Sequence, residues 1–488
     1  MKNIRIFSFV FICIILSNAI LDGDNIPKHN SNLPIIGLWQ GPHPELSHVS
    51  FILNIFEDNN NIIQGKGYWI NNNLYQAEFI IDSVSFRNDT VRISINNWGC
   101  IFNGTLLKNC STIQGCFICE GEIPDNVLLN RIDKNRLYGL FPEHLAKDGS
   151  FLYQYTAPER TNDGLSVAHL SETALTPEVV FKIVQEVATG LYGRIHSFLI
   201  LKDGKLVCEE YFYGFNNKIL HPVESVTKSI TSLLLGIAID QNKISSIDDS
   251  VIQYFPKYEV NESMKNRSPT IKDLSNMTSG LTITDTEIIN CPDRIALLLK
   301  SDYSNQPTKT FSYNGGNTEL LGGIIKKSTG SFADKFAEEY LFKPLSINNY
   351  HWNNFKQGGY PLCSGALWLT PRSLAKIGML VLNDGSWNGR QLISKKWIDK
   401  IKNGQINTKI GSDVYGYLWW TSSINIDQNQ FSYIWANGLG SQFIFIFPEY
   451  NMVIVTTGGN WAKGNDGESW EMIKLIRKYI PQLIKEDT

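Results

Sequence analysis

Toward the N-terminus, polar and apolar positions alternate in short runs; further on, they take up helical spacing. Val49-Ser50-Phe51-Ile52-Leu53-Asn54-Ile55, Ala77-Glu78-Phe79-Ile80-Ile81 and Thr90-Val91-Arg92-Ile93-Ser94-Ile95 each alternate at least in part, as strands with one buried face do. Asp58-Asn59-Asn60-Asn61 and Ile70-Asn71-Asn72-Asn73 stand between them as turn clusters. Regularly spaced short strands from about Leu33 to Ile132 predict an all-β barrel or sandwich. A stretch with little periodicity follows, carrying Tyr138, Tyr153, Tyr155 and Pro158. Ser197–Leu201, the turn Lys202-Asp203-Gly204-Lys205 and Leu206–Phe212 then read as a hairpin. A second hairpin runs from Phe443–Phe447 through Pro448-Glu449-Tyr450-Asn451 to Met452–Thr457. A helix closes the chain, with Met472, Ile473, Ile476, Tyr479, Ile480 and Leu483 on one face. Strands at both ends with helices between them predict one sheet completed late by non-adjacent segments.

The 488 residues exceed what one core supports, about 250–300 residues, so at least two domains are expected. We divide the chain into a leader over 1–19, a β domain over 33–134, a connecting segment over 135–190 and a second domain over 191–488. The leader has basic Lys2 and Arg5, an apolar run from Ile6 to Leu16, and small residues in Ser17-Asn18-Ala19. The run is shorter than the roughly 20 residues a bilayer span needs, so a cleaved export signal is expected, with a periplasmic or secreted product. Cys13 follows Ile12, where a lipoprotein site would want a small residue. No later stretch reads as a membrane span. A formal net charge of -3 without a Lys/Arg stripe speaks against nucleic acid as a partner.

Seven of the eight cysteines lie beyond the leader. Cys100, Cys110, Cys116 and Cys119 cluster, and in an oxidising compartment they could hold one or two disulfides. Cys116-Phe117-Ile118-Cys119 has the spacing of a metal half-site but no matching second pair, so no metal is expected.

Chemistry concentrates at Ser225-Val226-Thr227-Lys228. A serine hydroxyl needs a neighbouring base to become a good nucleophile. Ile230, Leu233, Leu234 and Ile237 mark a helix, on which Lys228 lies over Ser225. Ser225 starts that helix, where free N–H groups favour a developing anion. Ser373-Leu374-Ala375-Lys376 has the same spacing after Thr370-Pro371, so spacing alone does not choose between the two.

Order does. His221-Pro222-Val223-Glu224-Ser225-Val226-Thr227-Lys228-Ser229-Ile230 is followed by Ile247-Asp248-Asp249-Ser250-Val251 and by Thr270–Leu281 with its Met277-Thr278-Ser279-Gly280-Leu281. Phe311-Ser312-Tyr313-Asn314-Gly315-Gly316-Asn317, Pro344-Leu345-Ser346-Ile347, Leu369-Thr370-Pro371-Arg372 and Ala436-Asn437-Gly438-Leu439-Gly440-Ser441-Gln442-Phe443 come next. From about Ile195 onward this ordered set resembles the serine β-lactamase-related, class C-like, penicillin-recognising hydrolases, nearest the 6-aminohexanoate-dimer hydrolase and esterase branch. The resemblance implies a β-lactamase/transpeptidase-like α/β fold: an antiparallel sheet flanked by helices, plus a helical subdomain. The stretch opened by Gly37-Leu38-Trp39-Gln40-Gly41 resembles the small lipocalin-like barrels in front of some secreted hydrolases.

The resemblance also implies three catalytic elements. Ser225 and Lys228 match the first. Tyr313 matches the tyrosine of Tyr-x-Asn, which helps move protons, but Gly315 stands at the Asn position with Asn314 beside it. Whether either compensates is open. The third element, a Lys or His before x-Gly, is replaced by Ala436-Asn437-Gly438, so no cation is offered to a substrate carboxylate. Gly438 is expected to let the substrate backbone approach, with the N–H groups of Ser225 and Leu439 as the oxyanion hole. Asn437, Gly438 and Trp420 are the expected substrate contacts. Arg372 or Lys463 could restore the missing charge. His221 reads as structural.

These readings converge on an exported serine hydrolase that acts on an ester or small amide through an acyl-enzyme, with no cofactor. A β-lactamase or D,D-peptidase is the alternative, and a non-catalytic ligand-binding protein on the same shell is another. The oligomeric state is not legible.

Overall fold

The computed structural model describes residues 33–42, 49–58, 60–71, 74–95, 100–119, 125–132, 153–266, 268–304, 310–353, 359–404, 406–410, 413–426, 429–460 and 471–483. Among them, no helix is long and apolar enough to cross a membrane.

Nine strands form the N-terminal unit: β1 (Gly37–Pro42), β2 (Val49–Glu57), β3 (Ile63–Asn71), β4 (Leu74–Ile80), β5 (Ser83–Arg87), β6 (Thr90–Ile95), β7 (Cys100–Leu106), β8 (Thr112–Cys119) and β9 (Asp125–Ile132). They pair antiparallel in the order β4-β3-β2-β1-β9-β8-β7-β6-β5. The ladder is an up-and-down meander in which β9 returns to β1, with Leu38 opposite Ile132. A methyl group placed on Gly65 of β3 would lie 3.0 Å from both Ile81 and Val84, so β3 meets β5 where the ladder ends. Eight strands therefore make a nearly closed antiparallel barrel, and β4 extends it. Trp39, Phe51, Leu53, Val91, Ile93 and Phe102 are fully buried in the interior, which is a packed core. Cys100 is disulfide-bonded and faces Cys119 in the β7–β8 register, whereas Cys110 and Cys116 are free. Among the described residues no group of three or more His, Cys, Asp or Glu side chains could hold a metal ion.

The second unit is built on a nine-stranded sheet. It begins with β10 (Ser166–Val167), α1 (Pro177–Ala188), β11 (Ile195–Lys202) and β12 (Lys205–Tyr211). β10 and α1 lie within the stretch read as connecting; β10 pairs with β12, and α1 buries Val180, Ile183, Val184 and Val187. Asp203 and Gly204, at φ 52° and 79°, make the tight turn of the first hairpin. A small sheet joins β13 (His221–Pro222), β14 (Tyr350–Trp352) and β15 (Leu367–Leu369). Between β13 and β14 lie α2 (Val226–Asp240), α3 (Gly315–Thr329) and several short helices. After β15 come α4 (Pro371–Leu382), the hairpin β16–β17 (Ser386–Trp387 and Arg390–Gln391), and β18 (Ile406–Asn407). β19 (Val414–Gly416), β20 (Trp419–Ile426), β21 (Asn429–Gly438), β22 (Gln442–Phe447), β23 (Met452–Gly458) and α5 (Glu471–Leu483) complete it.

The strand order is β10-β12-β11-β23-β22-β21-β20-β19-β18, so the first hairpin is completed by the last. Helices cover both faces. A methyl group on Gly378 of α4 would strike Val453 at 2.6 Å and Ile444 at 2.9 Å, which places α4 hard against one face. Phe445 and Phe447 point the other way and contact Tyr433, a ring close enough to Arg477 of α5 to feel its charge. Between sheet and helical region runs α2, buried on all sides from Val226 to Ala238. Gly236 is required there, since a methyl group would stand 2.3 Å from the Trp397 ring.

Candidate active site

The site is organised by the turn between β13 and α2. The Val223 N–H donates to the Leu367 carbonyl at 2.8 Å, fixing the turn to the small sheet. Glu224 then takes φ +48°, in the left-handed region that side chains other than glycine rarely adopt. Strain of this kind costs about 1–3 kcal/mol and persists only where the surroundings enforce it. It turns the chain sharply enough for Ser225 to cap α2.

Lys228, one turn on, is buried and points back. Its Nζ donates to Ser225 Oγ at 2.9 Å and to the Ser364 carbonyl at 2.7 Å. Ser364 is held in turn: its N–H donates to Glu319 Oε1 at 2.8 Å, and Arg294 Nε donates to Glu319 Oε2 at 3.3 Å. Burial raises the Glu319 carboxyl, and the adjacent Arg294 charge opposes that shift. A buried ion pair thus anchors the carbonyl that orients the lysine.

Tyr313 presents its ring to this lysine, with Nζ 5.0 Å from the ring centroid. Among the described residues its hydroxyl makes no hydrogen bond, so its link to Lys228 is through the ring face. The ring is 40% exposed and stacks on Trp420 at 6.1 Å, with Phe311 and Tyr415 alongside. Trp420 stacks in turn on Trp435 at 5.2 Å. These rings form one wall of the site.

Asn314 does not face the reacting groups. Its Oδ1 caps α3 by accepting from Gly316 N–H, and its Nδ2 donates to the Ile283 carbonyl. The helix starts at Gly315. Gly315 has no room for a side chain: a β-carbon would meet Asp285 Oδ1 at 2.7 Å and Ser364 Cβ at 3.1 Å. Asn317 is buried and accepts from Ser279 Oγ at 2.6 Å.

Opposite lies the end of β21. Asn437 is partly exposed and follows Trp435 on the same face of the strand. Gly438 is needed for a close approach within the protein itself. A β-carbon there would stand 2.2 Å from the Val223 carbonyl and 3.0 Å from Glu224 Cβ, so the close approach is to the turn before the serine. The contact joins the residue before Leu439 to the two residues before Ser225. Among the described residues neither the Ser225 nor the Leu439 N–H donates to a protein acceptor.

The second Ser-x-x-Lys is a different object. Ser373 Oγ pairs with Thr370 Oγ1 at 2.8 Å, while Lys376 Nζ donates to the Ser346 carbonyl at 3.0 Å. His221 is buried against Phe215 and near His196, and burial pushes it down to about 3, so it stays neutral. Arg372 cannot supply the missing charge: Glu209, Asp163 and the Glu159 carbonyl occupy its guanidinium. Lys463 lies outside the described residues. Sequence reading missed Ser364, whose contribution is a backbone carbonyl, and Asp285, which arrives from another segment. It also passed over Glu224, whose partly buried carboxyl is raised to about 7 by burial, with Lys228 pulling the other way.

Residues 189–466, more than half of the chain, match the family model described as Beta-lactamase. The chain belongs to the beta-lactamase family. Within this family it is 22% identical over 287 residues to the 6-aminohexanoate-dimer hydrolase of Paenarthrobacter ureafaciens, covering 53% of this chain and 71% of that one. It is 25% identical to protein flp of Staphylococcus aureus, over 59% of this chain and 61% of flp. To beta-lactamase-like protein 4 of Dictyostelium discoideum it is 31% identical, over 27% of this chain and 26% of that protein. Thus the match spans less than two thirds of the last two relatives. A class C beta-lactamase shares the fold at a TM-score of 0.51 and 18% identity, over 64% of this chain and 97% of the other. EstCE1, a hydrolase with promiscuous acyltransferase activity, does so at 0.51 and 12%, over 62% and 98%. The protein is a serine hydrolase of the beta-lactamase family.

Proposed function

We propose that this hydrolase is exported and cleaves an ester or a small amide through an acyl-enzyme on Ser225. The observation that carries the reading is the 2.9 Å contact from Lys228 Nζ to Ser225 Oγ at the start of α2. Ser225 Oγ attacks the substrate carbonyl carbon as its proton passes into the Lys228–Tyr313 pair. The N–H groups of Ser225 and Leu439 receive the oxyanion, and their lack of protein acceptors among the described residues supports that role. The tetrahedral intermediate collapses, the leaving group takes the proton, and a water then attacks the acyl-enzyme to release the acid and restore Ser225. Asn437, Gly438 and the Trp420 ring border the substrate.

An ester or small amide is favoured over a β-lactam because Ala436-Asn437-Gly438 carries no cation and Arg372 is already engaged. The name of the Paenarthrobacter relative, a 6-aminohexanoate-dimer hydrolase, supports the small-amide half of the reading. Export is supported by the leader and by the disulfide at Cys100, a bond at home in oxidising compartments. The up-and-down strand order supports the lipocalin-like reading of the barrel, and its filled interior favours a structural role over a ligand-binding one. The test is kcat/KM for p-nitrophenyl butyrate against a chromogenic cephalosporin, with wild type and Ser225→Ala. The butyrate is expected to be turned over far better, and only by wild type. A preference for the cephalosporin would point to a β-lactamase, and no Ser225-dependent turnover or labelling would point to a binding protein.

A further inference from the structure

The Tyr-x-Asn element ends in a glycine here, and the structure shows what has taken the space. Gly315 opens α3 with its Cα–Hα direction aimed at Ser364, whose carbonyl holds Lys228. A side chain at this position would lie against Ser364 and Asp285, beside the segment that orients the lysine. Asp285 reaches the spot instead, from the first turn of the short helix Asp285–Asn290. Its Oδ1 accepts from the Gly315 N–H at 2.8 Å and sits 2.7 Å from where a β-carbon would be. No other hydrogen bond engages this side chain among the described residues, and Asp285 is solvent-exposed. One carboxylate oxygen is thus pinned to the helix start and the other is left for a ligand.

The exchange changes what the site can recognise. An asparagine amide both donates and accepts, whereas an ionised carboxylate only accepts and carries a negative charge. A substrate carbonyl or carboxylate placed there loses a donor and meets repulsion. An ammonium group gains an acceptor and a counter-charge.

We infer that Asp285 is a specificity-determining residue that selects esters or amides bearing a cationic group on the acyl side. This rests on the hydrolytic reading of the same site. The probes are p-nitrophenyl 4-(trimethylammonio)butyrate and its uncharged isostere p-nitrophenyl 5,5-dimethylhexanoate, used with the full-length protein. Asp285→Asn keeps an oxygen for the Gly315 N–H, so the turn is retained. Wild type is expected to favour the cationic ester in kcat/KM by about three- to fivefold, the scale of an exposed ion pair. Asp285→Asn should bring the ratio to about one, read within each variant so that any change common to both esters cancels. The same ratio is read as Kd in the Ser225→Ala background, where no hydrolysis is needed. If neither ester is turned over, the hydrolytic reading fails while the Kd ratio still decides the role of Asp285. A ratio near one in wild type, or one unaltered by Asp285→Asn, overturns the inference.

Discussion

Gly438 and the Val223 carbonyl approach so closely that a β-carbon on the glycine would stand 2.2 Å from the oxygen. The end of β21 is thereby pressed against the strained turn that presents Ser225. Gly438→Ala must push the two apart, moving Leu439 and Ser225 relative to each other. We expect a loss of at least tenfold in kcat, with a stability cost of about 1–3 kcal/mol typical of overpacking. Steady-state kinetics beside a thermal melt measure both; an unimpaired, fully stable variant would contradict the contact.

Ser225→Ala should abolish hydrolysis, whereas Ser373→Ala should retain most of it. The first removes the hydroxyl that Lys228 addresses. The second removes only a hydroxyl paired with Thr370, while its nearby Lys376 is committed to the Ser346 carbonyl. A fluorophosphonate adduct located by mass spectrometry checks the assignment, and an adduct on a serine other than Ser225 would sink it.

Lys228→Ala and Tyr313→Phe are each expected to lower kcat by roughly a hundredfold or more, the scale of general acid–base assistance. Since both serve one proton path, the double variant should lose much less than the product of the single losses. Strict additivity would mean that the two act separately. Tyr313→Phe keeps the ring against Lys228 and Trp420, so its melting temperature should match wild type.

Glu224 predicts a pH dependence of stability. Burial raises its carboxyl to about 7 in the folded protein, against an ordinary value of 4.5. Between those two values the folded state holds a proton that the unfolded chain has released. Stability from this group is therefore lost as pH rises from about 4.5 to about 7. Glu224→Gln should melt close to wild type at pH 5 and above it at pH 8. A variant that gains most at pH 5 would refute the assignment.

Much of the fold was legible because it rests on periodicity. The strand read at Thr90–Ile95 is β6 itself, and the last hairpin agrees with β22 and β23 to within one residue at either end. The apolar face read for the final helix is the face that α5 buries. Ser225 and Lys228 were legible because their partnership is local, one helical turn apart. What the sequence hid is non-local or lacks a side-chain signature. Ser364 contributes a carbonyl that any residue possesses. Asp285 meets Gly315 only after the chain between them has folded. Gly438 was recognised as a point of close approach, but its partner, Val223, stands in a distant segment. β10 was missed because a two-residue strand leaves little pattern, whereas α1 was overlooked although Val180, Ile183, Val184 and Val187 follow helical spacing after Thr176-Pro177.

The sheet of the second unit also sets an order of events during synthesis. β11 pairs on one side with β12, its immediate neighbour in the chain, and on the other with β23, with Leu199 opposite Val455. Until the ribosome has released β23, one edge of β11 stays open, and β21 and β22 lack the strand that ties them to it. The nucleophile turn is made early, yet the strand end that presses on it closes β21, near the end of the chain. Hydrolytic competence is thus withheld until nearly the whole polypeptide has emerged, and folding carries the slow closure of a long loop.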